Sequence, residues 1–489
     1  MLWADLIYRN RLPLFYGIAI TGLLLLVTGF LIDSPYLGLI IFGFVGLFLV
    51  LLDFKLIFYL LLLFLPLSNE YELFSGIRMY LPTEPLVILL LLLFVPYVIY
   101  HQKVYTRSFW KHPLTLIIVI NVAWIFVTII SSTHPMISLK YFIAKIWYVV
   151  VYYFLASFII RSNKEFNKVF WLLVLPTIGG LIYVLTRHAM TGFLFDTVSS
   201  VVRPIYRNHV DYGVWITAIL PLLFLGRTWY KKDTLMRLFF NLAIVLNLAA
   251  IYFSYTRGAW VALAAIPIFY YIVKIRMVKP VLLISSIVVL IFVGNLFRQN
   301  NYLQYAPDFN KTIYHEDFSD HMSATFQMED MSTVERFYRW IAAVNMFSER
   351  PITGFGPGNF VNNYKNYTVS AYETYISDNE EGSSVHNYFL TMLTEQGIPG
   401  LLIFVAMIFI ILIYFQKVYH DTRKTEDKYL IMTIACCFFV LLVNNMFSDL
   451  LEADKLGPLF FMCMAILVNW DLKNDQSEEI ATETYKSIS

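Results

Sequence analysis

The sequence predicts an all-α polytopic membrane protein: about 12–14 transmembrane helices, with one long extracytoplasmic loop containing short helices. Three observations predict it. The 489 residues are 59% hydrophobic and only 14% charged, with a mean hydropathy of +0.65, outside the range of soluble globular domains. The apolar residues come in unbroken runs, without the period-2 alternation of a membrane barrel. Lys and Arg crowd into every second loop, as they do in multi-span proteins.

A helix needs roughly 20 apolar residues to cross the hydrocarbon core. On that scale spans are expected near 12–32, 36–52, 55–67, 85–100, 113–131, 139–160, 168–186, 209–226, 238–255, 258–273, 279–297, 400–416, 429–447 and 456–470. The first follows Arg9 and Arg11 and resembles a signal peptide. Its apolar run is too long and no small-residue cleavage site follows, so an uncleaved first span is expected. A net charge of +2 without a basic tract gives no sign of a nucleic-acid partner. Cys436, Cys437 and Cys463 all lie in apolar runs, too few for a disulfide framework and without zinc-ligand spacing.

Orientation follows from the loops. Lys103/Arg107/Lys111, Arg161/Lys164/Lys168, Arg227/Lys231/Lys232/Arg237, Lys274/Arg276/Lys279 and Lys417/Arg423/Lys424/Lys428 fill one set, whereas 33–35, 132–138 and 448–455 carry almost none. The positive-inside rule then puts both termini in the cytoplasm. The expected organisation is an N-terminal bundle (1–297), an extracytoplasmic, periplasmic loop with amphipathic helices (298–399), C-terminal spans (400–470) and a polar, unstructured cytoplasmic tail (471–489). A loop of this length calls for helices and a function of its own.

Outer loops avoid Lys and Arg, so the exceptions are informative. They are Arg203 and Arg207 in RPIYRNH, Arg257 in SYTRGAW, and Arg336 and Arg339 in STVERFYRW. Cations at a membrane boundary are costly unless paired or facing a wet cavity. Each could snorkel to headgroups or pair with Glu335, Asp449, Glu452 or Asp454; as a set they suggest an anion-binding site. The segment 331–351 reads as an amphipathic helix with a Ser332/Glu335 capping box, an apolar face of Phe337, Trp340, Ile341, Val344 and Phe347, and a stop at Pro351. TGFGPGNF permits a tight backbone turn but lacks the Lys-Ser/Thr of a phosphate loop. No Asp-x-Asp, Walker, His-Glu-x-x-His or Gly-x-Ser-x-Gly motif is present. His386 opens the last conspicuous motif, HNYFLTMLTEQGIPGLL, at the start of a helix.

The ordered set SYTRGAW, ERFYRWIAAVNMFSERPITGFGPGNF and HNYFLTMLTEQGIPGLL resembles the O-antigen ligase and polymerase superfamily, over roughly residues 200–415. The resemblance implies a membrane glycosyltransferase that moves a glycan from undecaprenyl diphosphate to an acceptor glycan or glycolipid, such as lipid A-core, without metal or cofactor. It implies His386 as the catalytic residue and Arg257 and Arg336 as contacts to the donor diphosphate. Arg339 joins that set, and Arg203 or Arg207 corresponds to a further polar loop. Imidazole, with a reference pKa of ~6.5, suits removal of the acceptor proton, and guanidinium suits the diphosphate leaving group. Glu395 would lie opposite His386 on an ideal helix, which suits a structural role. A ligase, a polymerase of the same superfamily and a polysaccharide or lipid transporter remain as readings.

Overall fold

The computed structural model describes residues 54–488, apart from 75–76, 102, 308–330 and 380–381. The described residues are 78% helical, and ten helices among them are long and apolar enough to cross a membrane. In chain order the main helices are α1 (Phe54–Phe64), α2 (Thr83–Tyr100), α3 (Pro113–Ile130), α4 (Pro135–Ile159) and α5 (Asn163–Met190). They continue as α6 (His209–Thr228), α7 (Leu235–Phe253), α8 (Arg257–Lys274), α9 (Val278–Phe297), α10 (Met331–Glu349), α11 (Tyr388–Asp421), α12 (Thr425–Asn445) and α13 (Leu456–Ile488). The expected spans 12–32 and 36–52 lie outside the described residues. Each remaining expected span meets an apolar helix, the 55–67 run being the short α1.

Helices that are apolar all round must be buried in protein or turned to lipid, and both kinds occur. α6 and α12 form the centre, with Trp215, Ile216, Cys437 and Phe438 fully enclosed. α12 packs mainly on α6 and α8, and α11 lies along α3. None of the apolar window of α9 is buried, as expected of a helix that faces lipid tails.

The loops sort to two ends. At one end the basic loops meet: Arg161 Nη2 donates to Val104 O at 2.9 Å, Gln416 Oε1 accepts from Val278 N at 2.9 Å, and Lys417 pairs with Asp471 at 2.8 Å. At the other end, Thr133 N donates to Phe355 O at 3.0 Å, Thr256 Oγ1 to His209 O at 2.9 Å, and Asn387 Nδ2 to Met446 O at 3.0 Å.

Three local features depart from the sequence reading. An antiparallel hairpin, β1 (Asn69–Phe74) and β2 (Ile77–Leu81), follows α1; its strands of six and five residues carry too little alternation to signal themselves. α13 remains helical past Asp471 to Ile488, where an unstructured tail was expected. Asp471 itself is buried, held by His112 and Lys417. In α10, Ser332 lies within the helix, so no Ser332/Glu335 capping box forms. The buried face also turns toward Tyr338, Ile341, Ala342 and Met346, because alanines allow the close approach to α11 that Phe337 and Trp340 would block. Together with Phe355, Phe360, Tyr364, Tyr372 and Val385, this face forms a second, smaller apolar core.

The segment after α10 is stapled to a break in α11. Gly397 leaves the helix at φ +71°, and Ile398 N donates to Pro351 O at 2.8 Å. Phe355 N and Gly356 N donate to the carbonyls of Thr394 and Glu395. The buried Glu395 carboxylate accepts from Gly358 N at 2.7 Å and Phe360 N at 3.0 Å. A Cβ on Gly397 would lie 2.2 Å from Ile352 O. Gly397→Ala is therefore expected to lower stability by about 2 kcal/mol or more, read as an earlier melting transition of the detergent-solubilised protein. Gly179→Ala, with nothing within 4 Å of the new Cβ, should leave the transition in place or raise it slightly.

Candidate active site

α11 begins with Asn387 as N-cap: its side-chain oxygen accepts from Phe389 N and Leu390 N at 3.0 and 3.1 Å. His386 thus precedes the helix rather than opening it, and sits in the left-handed region at φ +58°. That conformation costs a non-glycine residue about 1–2 kcal/mol and persists only where the surroundings enforce it. Asp449, in the corner after α12, does so. Its Oδ2 accepts from His386 N at 3.0 Å and its Oδ1 from Thr391 Oγ1 at 2.8 Å. The sequence offered Asp449 as an arginine partner; these contacts make it the support of the histidine backbone. Burial raises its pKa, against the opposing pull of donors from Ser384, Thr391 and His386.

α10 brings Arg336 and Arg339 toward the imidazole. Arg339 is buried and pairs with the buried Glu335 at 3.3 Å, four residues earlier. Glu335 also accepts from Ser377 Oγ at 2.8 Å and from Thr374 Oγ1. Arg339 Nη2 lies 3.4 Å from Asn379 Oδ1, which also accepts from Ser383 N at 2.7 Å. Arg336 is half-buried. Burial, then the charges of Arg336 and Arg339, push the His386 pKa down to about 3. The ring is therefore neutral at neutral pH.

Arg257 is the first residue of α8, behind an extended Thr256 whose hydroxyl is anchored on His209 O. The following Gly258 passes so close to α12 that a Cβ would lie 2.7 Å from Asn444 Oδ1. Asn444 is two residues before Met446, the partner of Asn387. Arg257 and His386 thus flank the same end of α12, from α8 and α11 respectively.

Arg203 and Arg207 occupy an adjoining cluster. Both are exposed, and Arg203 Nε donates to Arg207 O at 3.4 Å. Arg207 acts electrostatically on Asp211 and Tyr80, which also feel Asp454. Asp454 is held by Lys455 at 2.9 Å and Ser68 Oγ at 2.6 Å. Among the described residues no group of three His, Cys, Asp or Glu side chains is arranged to hold a metal ion. The roles that sequence reasoning missed are those of Asp449 and, beside it, Glu452 with Lys145 and Tyr388. Their one signal was an acidic loop, DLLEAD, between two apolar runs.

Fold and site define a multi-pass helical membrane protein with a histidine and several arginines gathered at one end of its bundle. Residues 242–405 match the sequence model of the O-antigen ligase family, which supports the O-antigen ligase superfamily for this chain. The match supports an O-antigen ligase or polymerase type of function, that of a glycosyltransferase-like enzyme acting on glycans in a membrane. No curated protein matches the chain. The matched region contains Arg257, Arg336, Arg339, His386 and Glu395; Arg203, Arg207, Asp449 and Glu452 fall outside it.

Asp449→Ala removes the acceptor that holds His386 N and Thr391. An unsatisfied buried donor costs about 1–3 kcal/mol. Transfer activity of the purified variant is expected to fall at least about tenfold, while Asp449→Asn, which keeps an acceptor oxygen, should retain more of it. Equal activity in Asp449→Ala and the native protein would show that the corner does not set the histidine.

Proposed function

We propose that the protein transfers a glycan from a polyprenyl diphosphate carrier, of the undecaprenyl type, to a hydroxyl of an acceptor glycan or glycolipid on the outer face of the inner membrane. The observation that carries this reading is the half-buried His386, fixed in a left-handed turn with the cations of α10 bearing on it. Breaking the bond between the anomeric carbon and the diphosphate releases an anion, and guanidinium groups stabilise it as charge develops. Arg257 and Arg336 are half-buried at the site and are assigned to that contact. Arg339, committed to Glu335, supplies field rather than contact. Arg203 and Arg207, exposed at the adjoining cluster, fit recognition of the more distant donor sugars.

The low basicity of His386 fits a defined order of events. Without donor, burial and then the arginines oppose protonation of the ring. A bound diphosphate offsets the arginine part of that opposition and raises the basicity of the ring for taking the acceptor proton. The family match fits both a ligase, which adds a finished glycan to a terminal acceptor, and a polymerase; the resemblance over His386–Gly400 favours the ligase. A transporter is disfavoured because the arginines gather at one end of the bundle rather than at mid-span.

His386→Ala should reduce transfer by about 10²–10⁴-fold and Arg257→Lys should reduce it strongly, both at normal protein level. Persistence of surface glycan in both variants would remove the catalytic assignment. In a deletion strain, long chains stranded on the carrier indicate a ligase, single repeat units a polymerase, and failed export with unchanged linkage a transporter.

The pH profiles carry a separate prediction. His386 of the free enzyme stays neutral down to about pH 3, so kcat/KM should show no acid limb near the ordinary histidine value of ~6.5. The limb in kcat, which reports the donor complex, should lie at higher pH than that in kcat/KM. Because the folded-state pKa is depressed, the unfolded chain binds more protons between about pH 3 and ~6.5, and this residue's contribution to stability is lost as pH falls through that window.

A further inference from the structure

Three donors from two helices converge on one carboxylate oxygen beside the site. Glu452 Oε1 accepts from Lys145 Nζ at 2.7 Å, Tyr388 OH at 2.7 Å and Tyr141 OH at 2.8 Å. Lys145 and Tyr141 lie on α4, one helical turn apart, and Tyr388 is the first residue of α11. Lys145 also lies 3.3 Å from Tyr388 OH. The lysine side chain is 4% exposed, whereas that of Glu452 is 32% exposed.

This arrangement is more elaborate than a pin between helices requires. A buried ammonium is expensive at a membrane boundary, and an ion pair taken out of water seldom adds net stability. What the cluster does achieve is to fix the orientation of a carboxylate whose inner oxygen is saturated and whose side chain still reaches solvent. A carboxylate accepts at about four lone-pair sites, so Oε2 retains acceptor capacity on the exposed side. Sugar hydroxyls are donors suited to such a group.

Its place relative to His386 is set by two bonds. Asp449, three residues before Glu452 on the same corner, accepts from His386 N. Tyr388, two residues after His386, donates to Glu452. The corner thus presents one carboxylate that shapes the histidine turn and a second, partly open, that faces solvent next to it. Arg336 and Arg339 bear on the histidine from α10 and Arg257 stands at the same end of α12 on α8, so the α4 side carrying Glu452 is distinct from the side assigned to the diphosphate.

We propose that Glu452, oriented by Lys145, Tyr141 and Tyr388, is the acceptor subsite: it binds a hydroxyl of the incoming glycan and positions a neighbouring hydroxyl for His386. The proposal rests on the glycosyl-transfer reading above. Glu452 is a substrate-binding residue in this scheme, and Lys145 and Tyr141 are positioning residues that act through it.

The test uses the full-length protein in detergent micelles or vesicles. The donor is carrier-linked glycan extracted from cells lacking the protein, and the acceptor is the glycolipid fraction of the same cells; release of polyprenyl diphosphate is followed. Glu452→Gln should raise the acceptor KM at least tenfold and leave the donor KM within twofold. Tyr141→Phe, which removes one hydroxyl and is the milder variant for folding, should raise the acceptor KM two- to fivefold with the donor KM unchanged. An unchanged acceptor KM in Glu452→Gln, or equal increases for donor and acceptor, overturns the subsite while leaving glycosyl transfer standing. If the native protein releases no polyprenyl diphosphate and forms no glycosylated acceptor, the glycosyl-transfer reading fails first.

Discussion

A carboxylate enclosed at the top of a membrane helix can be kept only if donors satisfy it, and Glu395 obtains its donors from the backbone of another segment. Gly358 N and Phe360 N bind its two oxygens, and neighbouring backbone bonds run from Phe355, Gly356 and Ile398 across the same seam. This clamp makes one unit of the segment after α10 and the broken start of α11. It requires glycine at Gly354 and Gly397, where a Cβ would collide with backbone at 2.4 and 2.2 Å. Everything at the site depends on it. α10 is held against α11, which brings Arg336 and Arg339 toward His386. The break at Gly397 divides a short helix carrying the Asn387 cap from the long apolar segment that follows.

The site is then an electrostatic arrangement on that frame. Arg336 and Arg339 of α10 bear on the imidazole where buried positive charge is costly, and burial with their charge keeps the ring neutral. The acidic corner after α12 lies opposite. Asp449 shapes the histidine turn, and Glu452 anchors Lys145. Asp449 and Glu452 belong to that corner and the arginines to α8 and α10, a separation on which the proposed division between an anionic donor and a hydroxyl-bearing acceptor rests.

Much of this was legible in the sequence. Run lengths located the helices because the bilayer fixes how many apolar residues a crossing needs. The alternation of Lys and Arg sorted the loops into two sets, and the structure gathers those sets at opposite ends. Arg257, Arg336, Arg339 and His386 were found because they break that pattern or belong to ordered motifs. Asp449 and Glu452 were not recognised for their roles. A carboxylate in a loop has no periodicity, and its partners lie 63 and 307 positions away for the His386 and Lys145 bonds. The buried face of α10 was misplaced by about one position, since periodicity alone cannot tell which side must admit a close neighbour. The hairpin after α1 and the helical continuation beyond Asp471 were missed for similar reasons. Short strands and polar helix ends are specified by contacts rather than by composition.

By itself, then, the sequence determined the class of the protein, the places of its helices and the residues whose chemistry is unusual for a membrane boundary. The reason is that hydrophobicity and charge act locally, through solvent, on each segment. Only the tertiary structure decided that His386 precedes its helix in a left-handed turn, that Arg339 is bound to Glu335 while Arg336 and Arg257 stay within reach of the site, and that one end of α12 is shared by α8 and α11. Those facts rest on hydrogen bonds and close contacts between segments far apart in the chain, whose geometry exists only once the helices have packed.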